Sequence, residues 1–307
     1  MARSDIAILL ATYNGEKFLR EQLDSLLAQT CQNWTCYIHD DGSADSTVKI
    51  IAEYADDSDK FIVLDYPPQG GAKENFFSMV RKVDAPYIMF CDQDDVWLPE
   101  KIEKTLNKMK EIEREQVAEF PVCVFTDLTV VDSTLSIIHQ SFAKDILKRT
   151  TYNRCFNSLF FNGGVAGCTM MFNNILAGYV YQIGPCRSLF MHDHLFALIA
   201  LSEGVLSFVS ESNILYRQHG GNVIGVGSGF RFPGIPCRSM VRKIYHIIKY
   251  ILLQHKFNAL WHYKDCADRL LSSGVLRNQE NIDFLKKVSH AAEFDKIWLL
   301  NESMWKR

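Results

Sequence analysis

A chain of 307 residues, 48% of them hydrophobic and 22% charged, carries enough apolar material for a large buried core, which excludes a disordered or low-complexity polypeptide. Its net charge of -3 supplies no global attraction to nucleic acid. No apolar run approaches the roughly 20 residues needed to cross a bilayer, and residues 6–11 are too short for the core of a signal peptide, so the expectation is a cytoplasmic protein.

The first 130 residues alternate between two hydrophobic periods. The spacing predicts a strand over 5–12, then a helix over 16–29 with Phe18, Leu19, Leu23, Leu26 and Leu27 on one face. A second strand follows over 34–39 and a second helix over 43–54, with Ser43 or Asp45 as its N-cap. A third strand is expected over 61–65, a third helix over 74–83 and a fourth strand over 87–91. Residues 99–115 read as a charged amphipathic helix with Pro99 in its first turn, and 122–125 as a fifth strand. Such alternation with short connections predicts a doubly wound, mostly parallel sheet flanked by helices.

Past about 150 the alternation weakens. Residues 162–167 (Asn-Gly-Gly-Val-Ala-Gly) form a small-residue loop leading into 168–172, and 191–202 reads as a helix beginning at His192-Asp193-His194. Residues 216–229 are glycine-rich and are expected to form a lid. Between Ser212 and Lys264 there is no acidic residue, while Arg217, Arg231, Arg238, Arg242, Lys243, Lys249, Lys256 and Lys264 all fall there. The basic amphipathic stretch within 240–264 either contacts an anionic membrane surface or packs on the preceding domain. The nine cysteines contain no C-x-x-C pair, and several sit inside apolar runs, which fits reduced, buried thiols.

In a parallel sheet, ligands bind outside the carboxyl ends of the strands. The polar clusters fall at those ends: Thr12-Tyr13-Asn14-Gly15, Asp40-Asp41-Gly42-Ser43 and Asp92-Gln93-Asp94-Asp95. Three carboxylates packed after one strand repel each other unless a cation compensates, and oxygen-only donors suit Mg²⁺ or Mn²⁺. Read together, the clusters suit a nucleoside diphosphate with metal-bridged phosphates. Asp40 or Asp41 can accept a pyrimidine N3–H, with Thr12 and Tyr13 against the base. Neither a G-x-G-x-x-G fingerprint nor a Walker A loop is present.

The motifs Ala-Thr-Tyr-Asn-Gly (11–15), Asp-Asp-Gly-Ser-Ala-Asp (40–45) and Asp-Gln-Asp-Asp-Val-Trp (92–97) resemble those of family 2 glycosyltransferases of the GT-A fold. Residues 125–132, 167–171, 191–194 and 216–219 are similar to segments of bacterial polysaccharide rhamnosyltransferases. This resemblance covers roughly residues 5–225. It implies a 1–229 glycosyltransferase domain, divided into a nucleotide-sugar half (1–130) and an acceptor half with its lid (131–229), followed by a helical basic C-terminal region over 230–307. It also implies an inverting, divalent-cation-dependent transfer of rhamnose from dTDP-rhamnose to a growing cell-wall, capsular or O-antigen polysaccharide. The acceptor would be a lipid-linked glycan, met by a peripheral enzyme on the inner face of the membrane. By position, the resemblance assigns Asp40, Asp41, Thr12 and Tyr13 to the pyrimidine. Asp92 and Asp94 go to ribose and the Mn²⁺ or Mg²⁺ ion, and Asp193 is the catalytic base. Gly167, Cys168 and His192 line the substrate site, with His192 standing where glutamate is commoner.

A carboxylate in Asp193's position can take the proton of an attacking sugar hydroxyl. Arg217 reads as a lid cation for the diphosphate, and His219 as a further metal ligand or else a surface histidine of the lid. Gly163, Gly164 and Gly167 either admit the acceptor or simply turn the chain. Two rivals stand beside this reading: a UDP-hexose-dependent enzyme of the same fold, and a non-catalytic nucleotide-sugar-binding subunit of a membrane polysaccharide complex.

Overall fold

The computed structural model describes residues 4–115, 119–147, 155–162, 164–184, 191–220 and 262–290. Strand β1 (Ile6–Thr12) is apolar on both faces because both faces are covered. Ile6, Ile8 and Leu10 enter one core with α1 (Leu19–Leu27), α2 (Thr47–Asp57) and α4 (Lys101–Arg114). Ala7 and Leu9 enter the opposite core with α3 (Ala72–Val80), α5 (Phe156–Asn162), α6 (Asn174–Ile183) and α7 (His192–Glu203). Residues of α8 (262–272) and α9 (Gln279–Ser289), such as Leu270 and Leu285, complete that second core.

The remaining strands are β2 (Trp34–Asp40), β3 (Phe61–Val63), β4 (Tyr87–Asp92), β5 (Val96–Trp97), β6 (Val122–Val131), β7 (Ile137–His139), β8 (Met170–Asn173) and β9 (Val205–Arg217). They form one sheet in the order β3-β2-β1-β4-β8-β6-β9-β5, with β7 paired to β6. Strands β1 to β4 run parallel, as the alternation predicts. Register places Thr12 opposite Asp40 and Ala11 opposite Asp92, so three strand ends finish on one rim.

Strand β8 is inserted antiparallel between β4 and β6, and it therefore begins at the rim where they end. A 3₁₀ turn, Gly167–Thr169, leads into it and lies beside Asp92. Strand β9 runs parallel to β6 and returns Arg217 to the same rim.

The expected fifth strand, 122–125, extends through Val131, and the 13-residue β9 is an element the periodicity does not predict. The expected lid at 216–229 begins instead as the end of β9, and its residues from 221 onward lie outside the described ones, as does Gly163. The N-cap of α2 is Ser46, one residue past Asp45. Asp45 serves that helix start differently, accepting the backbone N–H of Thr47 at 3.0 Å. Of the basic 240–264 stretch, only 262–264 are described, at the start of α8. Cys36, Cys91, Cys123, Cys168 and Cys266 are buried thiols and Cys155 is an exposed one, outside any disulfide among the described residues. No helix among the described residues is long and apolar enough to cross a membrane.

Phe196 of α7 joins the helix to the sheet through Phe172 at 4.4 Å and Phe90 at 5.2 Å between ring centroids. Phe196→Ala leaves a cavity in this fully buried cluster. It is expected to lower unfolding free energy by about 3–5 kcal/mol in urea titrations.

Candidate active site

The rim loops are held by side chains that bond across to each other's backbone. Asn14, in the left-handed region at φ 46°, accepts the Ala44 N–H at 2.9 Å, while Ser43 Oγ accepts the Asn14 N–H at 2.8 Å. Gln93 clamps the Tyr13 residue from both sides, its Oε1 accepting Tyr13 N–H and its Nε2 donating to Tyr13 C=O, each at 2.9 Å. A Cβ on Gly15 would meet Gln93 Oε1 at 2.2 Å, so the glycine makes room for the clamp. Gln93 is a residue that sequence reasoning passed over. Its place inside the Asp-Gln-Asp-Asp run is the only signal it offers.

The two carboxylates after β2 are both engaged by the backbone. Asp40 accepts Thr12 Oγ1–H at 2.8 Å, Ser43 Oγ–H at 2.6 Å and the amides of Gly42 and Ser43. Asp41 gathers the loop after β3, accepting N–H from Gln69, Gly70 and Gly71. Tyr13, 57% exposed, leaves its ring on the surface beside them.

The acidic cluster after β4 is crowded. Asp95 is 0% exposed; its Oδ1 accepts Arg217 N–H at 3.1 Å, while Oδ2 has no N–H or O–H donor. Cys168, in the 3₁₀ turn, sits between Asp92 and Asp95, with its sulfur within hydrogen-bond reach of both carboxylates. Loss of water, then the charges of Asp94 and Asp193, push Asp92 up to about 7. Asp95 is raised as well, for the same first reason and by Asp94 and Asp92. Carboxylates this close favour either protons or a cation, and the donor atoms that lie within 4.8 Å of one another are those of Asp92, Asp95 and Cys168, while Asp94 acts on Asp92 through its charge. His219 Nε2 lies 2.7 Å from Asp94 Oδ2, so two of the three expected metal residues meet.

Arg217 departs from the role of a lid cation. It is 1% exposed and ties three segments together, donating to the Asp94 and Ser133 carbonyls at 2.7 and 2.9 Å and to the Glu21 carboxylate. Its guanidinium also lies 4.5 Å from the Phe18 ring centroid. The basic, glycine-flanked sequence suggested mobility, whereas the strand ladder of β9 fixes the residue from behind the loop.

Asp193 stands in the first turn of α7, past the N-cap Met191, and is partly exposed. Its Oδ1 accepts His194 N–H at 2.7 Å and its Oδ2 accepts Gly167 N–H at 2.9 Å. Burial raises it to about 6, although these amides favour the charged form. Asp193 and Asp92 therefore flank one turn, the first bonded to Gly167 and the second to Cys168. A Cβ at Gly167 would come within 2.9 Å of His192 Nε2, which only glycine avoids. The His192 ring, 3% exposed, packs on Phe76 and Phe90 at 4.2 and 4.5 Å. Both its nitrogens lack partners, and burial holds it neutral, down to about 3. Geometrically, this is one carboxylate held by two backbone amides and an acidic cluster on opposite sides of one turn.

The glycosyl transferase family 2 model matches residues 7–173. The chain is 26% identical over 241 residues to the dTDP-rhamnosyl transferase RfbG of Shigella flexneri, covering 72% of this chain and 75% of that protein. It is 28% identical over 104 residues to the UDP-Glc:alpha-D-GlcNAc-diphosphoundecaprenol beta-1,3-glucosyltransferase WfgD of Escherichia coli, 34% of this chain and 40% of that one. Among solved structures, residues 1–349 of S. aureus TarS in complex with UDP-GlcNAc superpose with a TM-score of 0.61 at 15% identity, covering 93% of this chain and 71% of that one. That likeness shows the shared GT-A fold.

The raised carboxylates carry a stability signature. A group whose folded pKa exceeds its unfolded value binds its proton more tightly when folded, so its contribution is lost as pH rises. For Asp92 the window runs from the ordinary carboxylate value near 4 to about 7. In metal-free buffer, Asp92→Asn is expected to gain stability relative to the wild type as pH rises through that window. Melting curves of both proteins in EDTA between pH 4 and 8 check this; a constant difference would contradict it.

Proposed function

The chain belongs to glycosyl transferase family 2, and on that premise we propose an inverting, divalent-cation-dependent enzyme that moves rhamnose from dTDP-rhamnose to a growing surface polysaccharide. The observation that carries the mechanism is Asp193. Its carboxylate is oriented by two backbone N–H groups and raised toward neutrality, one turn away from the acidic cluster. As the acceptor hydroxyl oxygen bonds to the anomeric carbon, its proton passes to Asp193 and the bond to the diphosphate breaks on the opposite face. Single displacement inverts the anomeric centre.

Asp92 and Asp94, with His219 against Asp94, would hold the Mn²⁺ or Mg²⁺ ion. That ion supplies positive charge for the departing diphosphate. Asp41 and Asp40 stand beside Thr12 and Tyr13, where a pyrimidine would lie. Their carboxylates organise the loops and keep acceptor capacity for an N3–H.

Rhamnose as the donor sugar rests on the likeness to RfbG across most of both chains. A UDP-hexose donor is the second reading, favoured by the shorter match to WfgD and by the N3–H edge that uracil shares with thymine. The acceptor we assign is a lipid-linked glycan at the inner membrane face, approached through the basic stretch 240–264.

With Asp193→Asn, transfer is expected to fall about 10²–10⁴-fold, while calorimetric donor affinity stays within a few-fold. Equal loss of both would remove the residue from the role of base. Since the base acts only when ionised, kcat/KM should climb with an apparent pKa near 6 and be lost below it. A flat profile between pH 5 and 8 would speak against Asp193. Thermal-shift screening of dTDP-rhamnose against UDP-glucose, with Mn²⁺, tests the donor.

A further inference from the structure

The acidic loop after β4 divides into two places. Asp94 turns to His219, with 2.7 Å between its Oδ2 and the ring Nε2. Asp92 and Asp95 meet Cys168 instead: one donor atom from each, two carboxylate oxygens and a sulfur, all within 4.8 Å of one another. Three donors so placed can converge on one small ion, whose bonds to oxygen and sulfur are about 2.0–2.3 Å. A second observation points the same way. Asp95 is 0% exposed; its Oδ1 accepts the Arg217 N–H at 3.1 Å, while Oδ2 is buried with no hydrogen-bond partner. The Cys168 thiol carries a single proton, which can serve only one of the two carboxylates. Leaving a buried acceptor unmet is costly, so the group holds capacity that the fold itself does not fill. Asp92, only partly buried, forms its open side.

We propose that Asp92, Asp95 and Cys168 form a second cation subsite, selective for a thiophilic divalent ion of the zinc class and separate from the Asp94–His219 pair. The sulfur sets it apart, because oxygen-only groups suit Mg²⁺ or Mn²⁺ whereas a thiolate selects zinc and its chemical neighbours. Without the ion, Cys168 is a neutral thiol. On ligation the sulfur–metal bond forms as the S–H bond breaks, and the proton leaves to the buffer with no change of oxidation state. Three protein donors then leave one position of a tetrahedral shell for water or a second carboxylate oxygen. Asp92 is common to both places, so zinc bound here takes a donor from the productive ion and slows transfer. That consequence, unlike the subsite itself, rests on the metal-dependent reading above.

The probe is Co²⁺, which absorbs in the near ultraviolet when a thiolate ligates it. Titrated into the reduced wild type, Co²⁺ is expected to raise that band, excess Zn²⁺ to abolish it and Mn²⁺ to leave it in place. Absence of the band in the wild type would sink the proposal without any variant. Because the chain has nine cysteines, the assignment comes from Cys168→Ser. This variant should lack the band and bind Zn²⁺ about tenfold or more weakly in calorimetry. An unchanged band, or a Zn²⁺ affinity within twofold, would overturn the proposal. Asp95→Asn keeps the Oδ1 acceptor for the Arg217 amide and stands in if Cys168→Ser does not fold. Its Zn²⁺ affinity should fall by a similar factor while Mn²⁺ affinity stays within twofold; equal loss of both ions would merge the two places and contradict a separate subsite. If Mn²⁺ does not bind even with saturating UDP while Zn²⁺ binding still depends on Cys168, the metal-dependent reading fails and the subsite stands.

Discussion

The site is governed by the crowding of like charge at one sheet rim. Asp92, Asp95 and Asp193 converge on the Gly167–Thr169 turn, and loss of hydration raises each of them. Repulsion of this kind would unfold a loop held only by itself. Here donors from every neighbouring element counter it: the Cys168 thiol, the Gly167 and His194 amides, and the Arg217 amide at the end of β9. What remains is an excess of acidic groups over positive charge at the rim, which holds their pKa values up. Architecture and chemistry are thus joined at the turn, since reversing β8 is what puts its start beside the end of β4.

Around that turn the structure spends its polar side chains on orientation. Gln93 fixes Tyr13, Asp40 fixes Thr12 and Ser43, and Asp41 fixes the backbone from Gln69 to Gly71. Ligand-facing loops held in this way lose little freedom when a ligand arrives, which favours affinity through preorganisation. Arg217 does the same service from below, its guanidinium spanning Asp94, Ser133 and Glu21.

Much of this was legible in the sequence because β1, β2 and β4 are short apolar runs that end abruptly in polar clusters. Parallel strands buried on both faces write themselves in that form. The rim residues Thr12, Asp40 and Asp92 follow from those ends, and register brings them together. Strand β9 escaped detection because Ser207, Ser210, Glu211, Ser212 and Asn213 interrupt its apolar pattern, and its partner β6 lies some eighty positions upstream. Asp127 hid the extent of β6 in a similar way. It reads as a strand-ending acid, yet Ser141 and the Ala143 amide satisfy it inside the sheet. Lys101 was invisible for a plainer reason: among the charged residues of α4 nothing marks the one that turns inward. Burial of a single charge is a tertiary fact: Lys101 is 0% exposed, with its Nζ 4.6 Å from the Trp97 ring centroid.

The reversed insertion of β8 also has a consequence for the order in which the chain can fold. Strand β4 pairs with β1 on one side and with β8 on the other, and the two strands are separated by about eighty residues. Until residue 173 has left the ribosome, Tyr87–Met89 present an apolar strand edge without its β8 partner. The first four strands can assemble early, but the sheet closes only when a segment from far along the chain arrives to bridge β4 and β6. During synthesis the nascent protein therefore passes through a stage with an adhesive edge, at the very strand whose tip carries the acidic cluster.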